Sequence, residues 1–413
     1  MQRTTLGNAR RRIAAARRKH GGWARAVACV GALGLGLVAA GCGSSERSET
    51  TTARGGGDAS AAVAAARAVV DAGYAGTDRD LPRSGPAAVR GKNVWVISCS
   101  QAAEGCQAPS DAFAEAGREL GWRTTVADAK LDPAEANRHI RSAISAKADA
   151  IVLVGSVSCD WAPGSLQEAK RRGILVYGLS ALDCDENGGE AMFDAQLRYG
   201  RGVAPYVDYV RDELAGSLAS YVTVKTGGEG DVILLDWDDG GMVREMVAAI
   251  AKELTERCPG CTIRKAPFTA ADLAQNRLQA KVLSAIGRNP DAKVVVSPID
   301  GPITLGAGAA VAQANAEGKD LMLTGWEGFS TNLEMIASGG PQNFAVGVPG
   351  EWRAWAAADG LNRLFAGEEQ VDAGIGFQLI DAEHPAPANP YDGNERSAGY
   401  ADNYRAIWAG ERG

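Results

Sequence analysis

The stretch 292–328, AKVVVSPIDGPITLGAGAAVAQANAEGKDLMLTGWEG, constrains the fold most. Lys293 to Ser297 is a short apolar β-branched run suited to a buried strand. Asp300, Gly301 and Pro302 interrupt it, and Ile303 to Glu317 carries apolar residues at helical spacing. Gly318 stops that helix where a left-handed residue is cheapest as glycine, Leu321 to Leu323 is a second strand, and Gly325-Trp326-Glu327-Gly328 is a loop after it. A strand–helix–strand crossover makes its two strands parallel and sends both following loops to their carboxyl ends. Ligands of such sheets bind there.

The unit recurs along the chain. Strands are expected at 93–98, 123–127, 150–154, 174–179 and 191–193, with helices at 109–120, 132–146 and 164–172 between them. A long helix over 200–219 follows. The rhythm then restarts with strands at 231–235, 261–265, 343–348 and 375–380 and helices at 241–257, 270–286 and 351–365. Two runs of alternating strands and helices predict an α/β protein of two doubly wound parallel-sheet lobes. A chain of 413 residues that is 46% hydrophobic can bury both cores.

The amino terminus is a different polymer. Residues 1–41 hold eight Arg and Lys and no acid, and an apolar run over 26–40 ends in Leu37-Val38-Ala39-Ala40-Gly41-Cys42. The run is too short to span a membrane with confidence and fits a signal peptide. Its end resembles a bacterial lipobox, which implies cleavage before Cys42, lipidation of that cysteine and anchoring to the outer face of the cytoplasmic membrane. Residues 42–60 read as a flexible Ser/Thr/Gly tether, and 61–90 as a helix and linker. Without the basic leader the chain is more acidic than its overall charge of −7, which argues against nucleic acid as a partner.

Beyond Cys29 and Cys42 six cysteines remain: Cys99, Cys106, Cys159, Cys184, Cys258 and Cys261. An even number in an exported chain predicts disulfides, with 15 pairings open. The pairs nearest in sequence are Cys99–Cys106 and Cys258–Cys261, which leaves Cys159 and Cys184. Cys258-Pro259-Gly260-Cys261 has the spacing of a redox motif, but it follows a helix and precedes a strand, so a staple across a turn is the expectation. The three histidines lie far from these cysteines in sequence, so no metal site is expected.

From Lys92 to Ile380 the chain resembles the type I periplasmic binding proteins, in particular the ribose- and galactose-binding subgroup that serves sugar ABC importers. The residues that carry this are KNVWVISCSQ, ADAIVLVGS, GILVYGLS, VILLDWDDGGMVREM, VVVSPIDGPITLGAGAAV, LTGWEGFSTNLEMIASG and FAVGVPGEWRAWAAADGLNRLF, in that order. The resemblance implies a first lobe of 91–196 plus 349–374, a second of 197–348 plus 375–413 with the C-terminal tail, and a three-segment hinge. It also places Cys159 and Cys184 near each other. A sugar or polyol would lie in the cleft and pass to an ABC permease, with no cofactor, no chemical change and a monomeric receptor.

By the same resemblance Arg244 would donate to hydroxyls, Trp326 would stack on the sugar ring and Glu327 would accept, with Asp300 as a further polar contact. In the first lobe Ser180-Ala181 replaces the family's Asp-Arg, so Asp183, Gln101, Trp161 and Trp237 are the substitutes offered by nearby strand-end loops. Two other readings stay open: a receptor presenting its ligand to a membrane signalling protein, and a carbohydrate-acting enzyme. The loop from Asp183 to Asp194 also matches half of a calcium-binding loop.

Overall fold

The computed structural model describes residues 56–239 and 241–411. The signal peptide, Cys42 and most of the tether lie outside the described residues. The first lobe is built on a parallel sheet of β1 (Asn93–Ser98), β2 (Arg123–Asp128), β3 (Ala150–Val154), β4 (Leu175–Leu179) and β5 (Ala195–Gln196), in the order β2-β1-β3-β4-β5. The second is built on β6 (Glu229–Trp237), β7 (Gly260–Phe268), β8 (Ala292–Val296), β9 (Met322–Glu327), β10 (Phe344–Gly347) and β11 (Gln378–Asp381), in the order β11-β10-β9-β8-β6-β7. Only the β10–β11 pair is antiparallel. The central strand β3, Ala-Ile-Val-Leu-Val, is buried along its whole length, as a parallel strand covered by helices on both faces must be. In each sheet the strand order reverses between two neighbours, β1 and β3 in one, β6 and β8 in the other, and this opens a crevice at the carboxyl ends.

The helices are α1 (Gly56–Tyr74), α2 (Glu104–Glu119), α3 (Pro133–Ser145), α4 (Pro163–Arg171), α5 (Tyr206–Tyr209), α6 (Ala215–Thr226), α7 (Gly241–Arg257), α8 (Ala270–Ala274), α9 (Leu278–Arg288), α10 (Gly308–Ala316), α11 (Ser330–Ala337), α12 (Glu351–Ala366) and α13 (Tyr400–Trp408). Asp132 caps α3 by accepting from the Ala134 N–H, with Pro133 at the first helical position. Three helices depart from the periodicity. The long helix expected over 200–219 spans 206–226 and passes through a π turn at Val210–Leu214. The helix expected over 270–286 breaks in two where Asn276 is left-handed at φ 54°. A second π turn, Ile303–Ala307, bends the chain before α10, with Gly306 at φ 139°. The short strand expected at 191–193 does not form there; β5 lies at Ala195–Gln196 instead.

Among the described residues there are three disulfides, Cys99–Cys106, Cys159–Cys184 and Cys258–Cys261. The terminal segments behave differently from the sequence reading. Helix α1 packs on α6 and β11 of the second lobe, where the Tyr74 hydroxyl donates to the buried Asp381 at 2.5 Å. The segment after it crosses to the first lobe: Arg79 pairs with Asp372, and the Val89 N–H donates to Asn362 of α12. The tail was expected to stay with the second lobe, but α13 lies on α12 instead. Aromatic packing draws it there. Trp408 stacks on Trp355 with ring centroids 5.6 Å apart, its indole N–H donates to the buried Asp359, and Arg405 reaches Glu119 of α2.

The tail also supplies a cap. Asp392 accepts from the backbone N–H groups of Glu351 and Trp352, both at 2.9 Å, and from the Tyr400 hydroxyl, so it closes the amino terminus of α12. Asp392→Ala should destabilise the fold by about 1–2 kcal/mol, and Asp392→Asn should recover part of that loss. Urea unfolding followed by circular dichroism checks it; an unchanged midpoint in the alanine variant would show that the tail does not hold α12.

Candidate functional site

Between the lobes lies a cavity of about 320 Å³. Its walls come from the carboxyl ends of both sheets: Cys99 after β1, Ser156 after β3, Ser180 after β4, Trp237 at the end of β6, Ile299 after β8 and Glu327 at the end of β9. The hinge adds Tyr206 and, from the first turn of α12, Arg353. The lobes touch across it. Glu104, in the first turn of α2, accepts from both the N–H and the hydroxyl of Ser330 at 3.0 Å, so a first-lobe carboxylate caps a second-lobe helix.

The eight residues singled out from sequence fall in very different places. Glu327 and Trp237 line the cavity. Trp326 does not: it has no solvent exposure and belongs to the core. Successive side chains on a strand point to opposite faces, so Trp326 and Glu327 cannot share the cleft. The aromatic ring beside the acid is Phe329, two residues later, which lines the cavity and blocks any side chain at Gly105 opposite. Arg244 is also displaced. On α7 it is Met242, Val243 and Met246 that face the cavity. Arg244 lies about 200° around the helix from Met242, with its side chain 62% exposed and donating to the Asp238 carbonyl.

Three polar candidates are committed to the scaffold. Asp300 is fully buried, and its carboxylate accepts from the N–H groups of Trp326 (3.0 Å), Gly328 (2.7 Å) and Phe329 (3.3 Å) and from the Gln342 amide (2.9 Å). It therefore shapes the loop that carries Glu327 and Phe329. Asp183 accepts from the N–H groups of Cys184, Met192 and Phe193, so both its oxygens close the 183–193 loop and not a calcium shell. Gln101 donates to Ser98 within its own loop, and Trp161 packs beside the Cys159–Cys184 bridge; neither lines the cavity.

Sequence reasoning missed Tyr206, Phe329, Glu104 and above all Arg353. The Arg353 side chain is 3% exposed. It meets the Ser180 hydroxyl at 3.5 Å and Glu327 at 3.8 Å, and its Nε has no partner among the described residues. Its sequence context, Gly350-Glu351-Trp352-Arg353 at a helix start, looks like any surface helix, so only the hinge geometry reveals it. Ser180 and Glu327 also share a backbone signal: both are non-glycine residues in the left-handed region, at φ 58° and φ 110°. Such strain concentrates at ligand sites.

Burial pushes the Glu327 carboxyl up to about 8; the Arg353 charge opposes this, while Asp300 and Glu104 add to it. Burial likewise pushes Asp300 up to about 7, against its four donors. A carboxyl raised on folding binds its proton more tightly in the folded state. Its stabilising contribution is complete below the unfolded value near 4 and is lost as pH rises through the folded value.

A sequence profile described as periplasmic binding protein domain matches residues 94–369. The chain belongs to that family. Its members are extracytoplasmic solute receptors. No curated protein matches the sequence. Solved structures share the fold. A solute-binding protein from Agrobacterium vitis bound to α-D-tagatopyranose is 17% identical with a TM-score of 0.61, over 74% of this chain and all of its own. One from Mycobacterium smegmatis bound to glycerol is 20% identical with a TM-score of 0.59, over 73% and 99%. One from Bacillus halodurans bound to myo-inositol is 18% identical with a TM-score of 0.58, over 71% and 96%.

Two outcomes are expected. Glu327→Gln imitates the protonated acid, so it should flatten the fall in stability between pH 5 and 8, a slope of at most about 1.4 kcal/mol per pH unit for one proton. Melting temperatures across that range read it, and parallel profiles for variant and parent would contradict it. Gly325→Ala should disrupt the site, because a Cβ there would sit 2.0 Å from Asp300 Oδ1. Loss of several degrees in melting temperature is expected, and a variant as stable as its parent would show that the Asp300 network can give way.

Proposed function

We propose that this protein captures a small sugar or polyol between its lobes, unchanged, and delivers it to an ABC importer. The observation that carries this reading is the inter-lobe cavity at the switch points of both sheets, among whose lining residues two buried donors, Arg353 Nε and Trp237 Nε1, have no partner among the described residues. At about 320 Å³ the cavity is at the small end of ligand sites, which run to about 1,000 Å³, and suits a monosaccharide. The ligands named for the similar structures support the class. Family membership supports an exported location, and the Ala40-Gly41-Cys42 ending supports a lipid tether at Cys42. Cys42→Ala should then release the protein from the membrane fraction or leave its precursor uncut.

The test of the site is a thermal-shift screen of sugars and polyols, then calorimetry on the best. A ligand held only by the native state raises the melting temperature. Trp237→Ala or Phe329→Ala should weaken binding roughly tenfold or more, through lost stacking and, for Trp237, a lost donor. Arg244→Ala should leave affinity unchanged, since its side chain lies outside the cavity. Mass spectrometry of the recovered ligand should find it intact. A cleaved or isomerised product would make the protein an enzyme, and equal affinity in all three variants would move the site elsewhere.

A further inference from the structure

We propose that the solute is acidic: a sugar or polyol bearing one carboxylate, an aldonic or uronic acid, with that carboxylate held by Arg353. This rests on the reading of the cleft as a solute site and narrows it to a substrate class.

Two buried arginines of α12 show why. Arg363 is as buried as Arg353, but it is neutralised within the protein: its Nε donates to Asp359 at 2.7 Å and its Nη2 donates to the Ser84 carbonyl at 2.5 Å. Arg353 has no such partner. Its nearest carboxylate oxygen, on Glu327, is 3.8 Å away, and its other contacts are the hydroxyls of Ser180 and Tyr206. A buried guanidinium whose nearest carboxylate lies beyond hydrogen-bond distance is left under-satisfied, and an anion that binds it in the fork geometry completes its shell.

Glu327 is a poor counter-ion for it. It stands 3.8 Å away, beyond hydrogen-bond distance, and burial raises its carboxyl against the opposing Arg353 charge, with Asp300 and Glu104 adding to the rise. Glu104 is occupied by the Ser330 N–H and hydroxyl. The second unpartnered buried atom on the wall, Trp237 Nε1, is also a donor. Arg353 and Trp237 are therefore under-matched donors of this lining, and a carboxylate is the group that supplies acceptors and a negative charge together. Met242, Met246, Ile299 and Leu305, which also line the cavity, suit the C–H face of a sugar ring or a carbon chain.

The experiment is calorimetry on the full chain with matched pairs: D-galactose and D-galacturonate, D-glucose and D-gluconate, D-arabinose and D-arabinonate, with the corresponding polyols. At least one acid should bind tenfold or more tightly than its neutral parent. Arg353→Gln should erase that preference, leaving the acid and its parent within about twofold. The wild-type comparison needs no variant, so it decides the matter even if Arg353→Gln fails to fold. A neutral sugar or polyol that binds as tightly as its acid would overturn the acidic assignment and leave the solute reading standing. Binding of no member of either set, with no thermal shift, would remove the solute reading and this inference with it.

Discussion

The carboxylate of Asp300, sealed from solvent between β8 and the end of β9, is the constraint on which the binding face of the second lobe depends. It gathers three backbone N–H groups of the 326–329 loop and the amide of Gln342. Those donors offset part of the cost of burying a carboxylate, and removing the acceptor would leave several buried N–H groups unsatisfied. The loop so fixed holds Glu327 in a left-handed conformation and sets Phe329 against the opposite lobe. Gly325 is required beneath it because no side chain fits beside Asp300. One buried acid thus determines where a second acid and an aromatic ring face the cavity.

The same loop couples the site to closure. Ser330, directly after Phe329, begins α11, and its N–H and hydroxyl are satisfied by Glu104 of the other lobe. When lobes part in a hinge motion such a contact is broken, so the amino end of α11 would be left to water. Arg353 stands where this geometry converges, on a helix of the first lobe but facing an acid of the second.

The terminal segments lie outside the stretch matched to the family. Helix α1 and its linker run from the second lobe to the first, and the tail runs from β11 back to α12. Asp78 ties the two together: it accepts from the N–H groups of Gly376 and Asn394 and from the Tyr391 hydroxyl. Two further strands of chain thereby cross near the hinge, and opening must proceed with these contacts kept or broken.

Local signals decided the architecture. Apolar β-branched runs, Pro-started and Gly-stopped helices and their strict alternation specify two parallel sheets, because each signal acts within a few residues. The 292–328 unit was legible in this way down to Gly318; its π turn was not, and neither was the continuation of the second strand through Gly325-Trp326-Glu327, which reads as a loop. The site was legible to the level of the loop but not of the side chain. Strand-end loops after β6 and β9 were identified, yet within them the pleat chose Glu327 over Trp326, and the helical phase of α7 turned Met242 and Met246 inward and Arg244 out. Asp300 and Asp183 are polar residues in cleft loops, and sequence does not say whether such a carboxylate meets a ligand or its own backbone. Arg353 depends on still longer distances: its meaning arises from Ser180, Tyr206 and Glu327, separated from it in sequence and assembled only in the tertiary fold. The sequence by itself determined the sheets, the helices and the ends of strands at which a solute is held. The tertiary structure alone decided which charged groups face that solute, because burial and pairing are properties of the closed cleft and not of any segment.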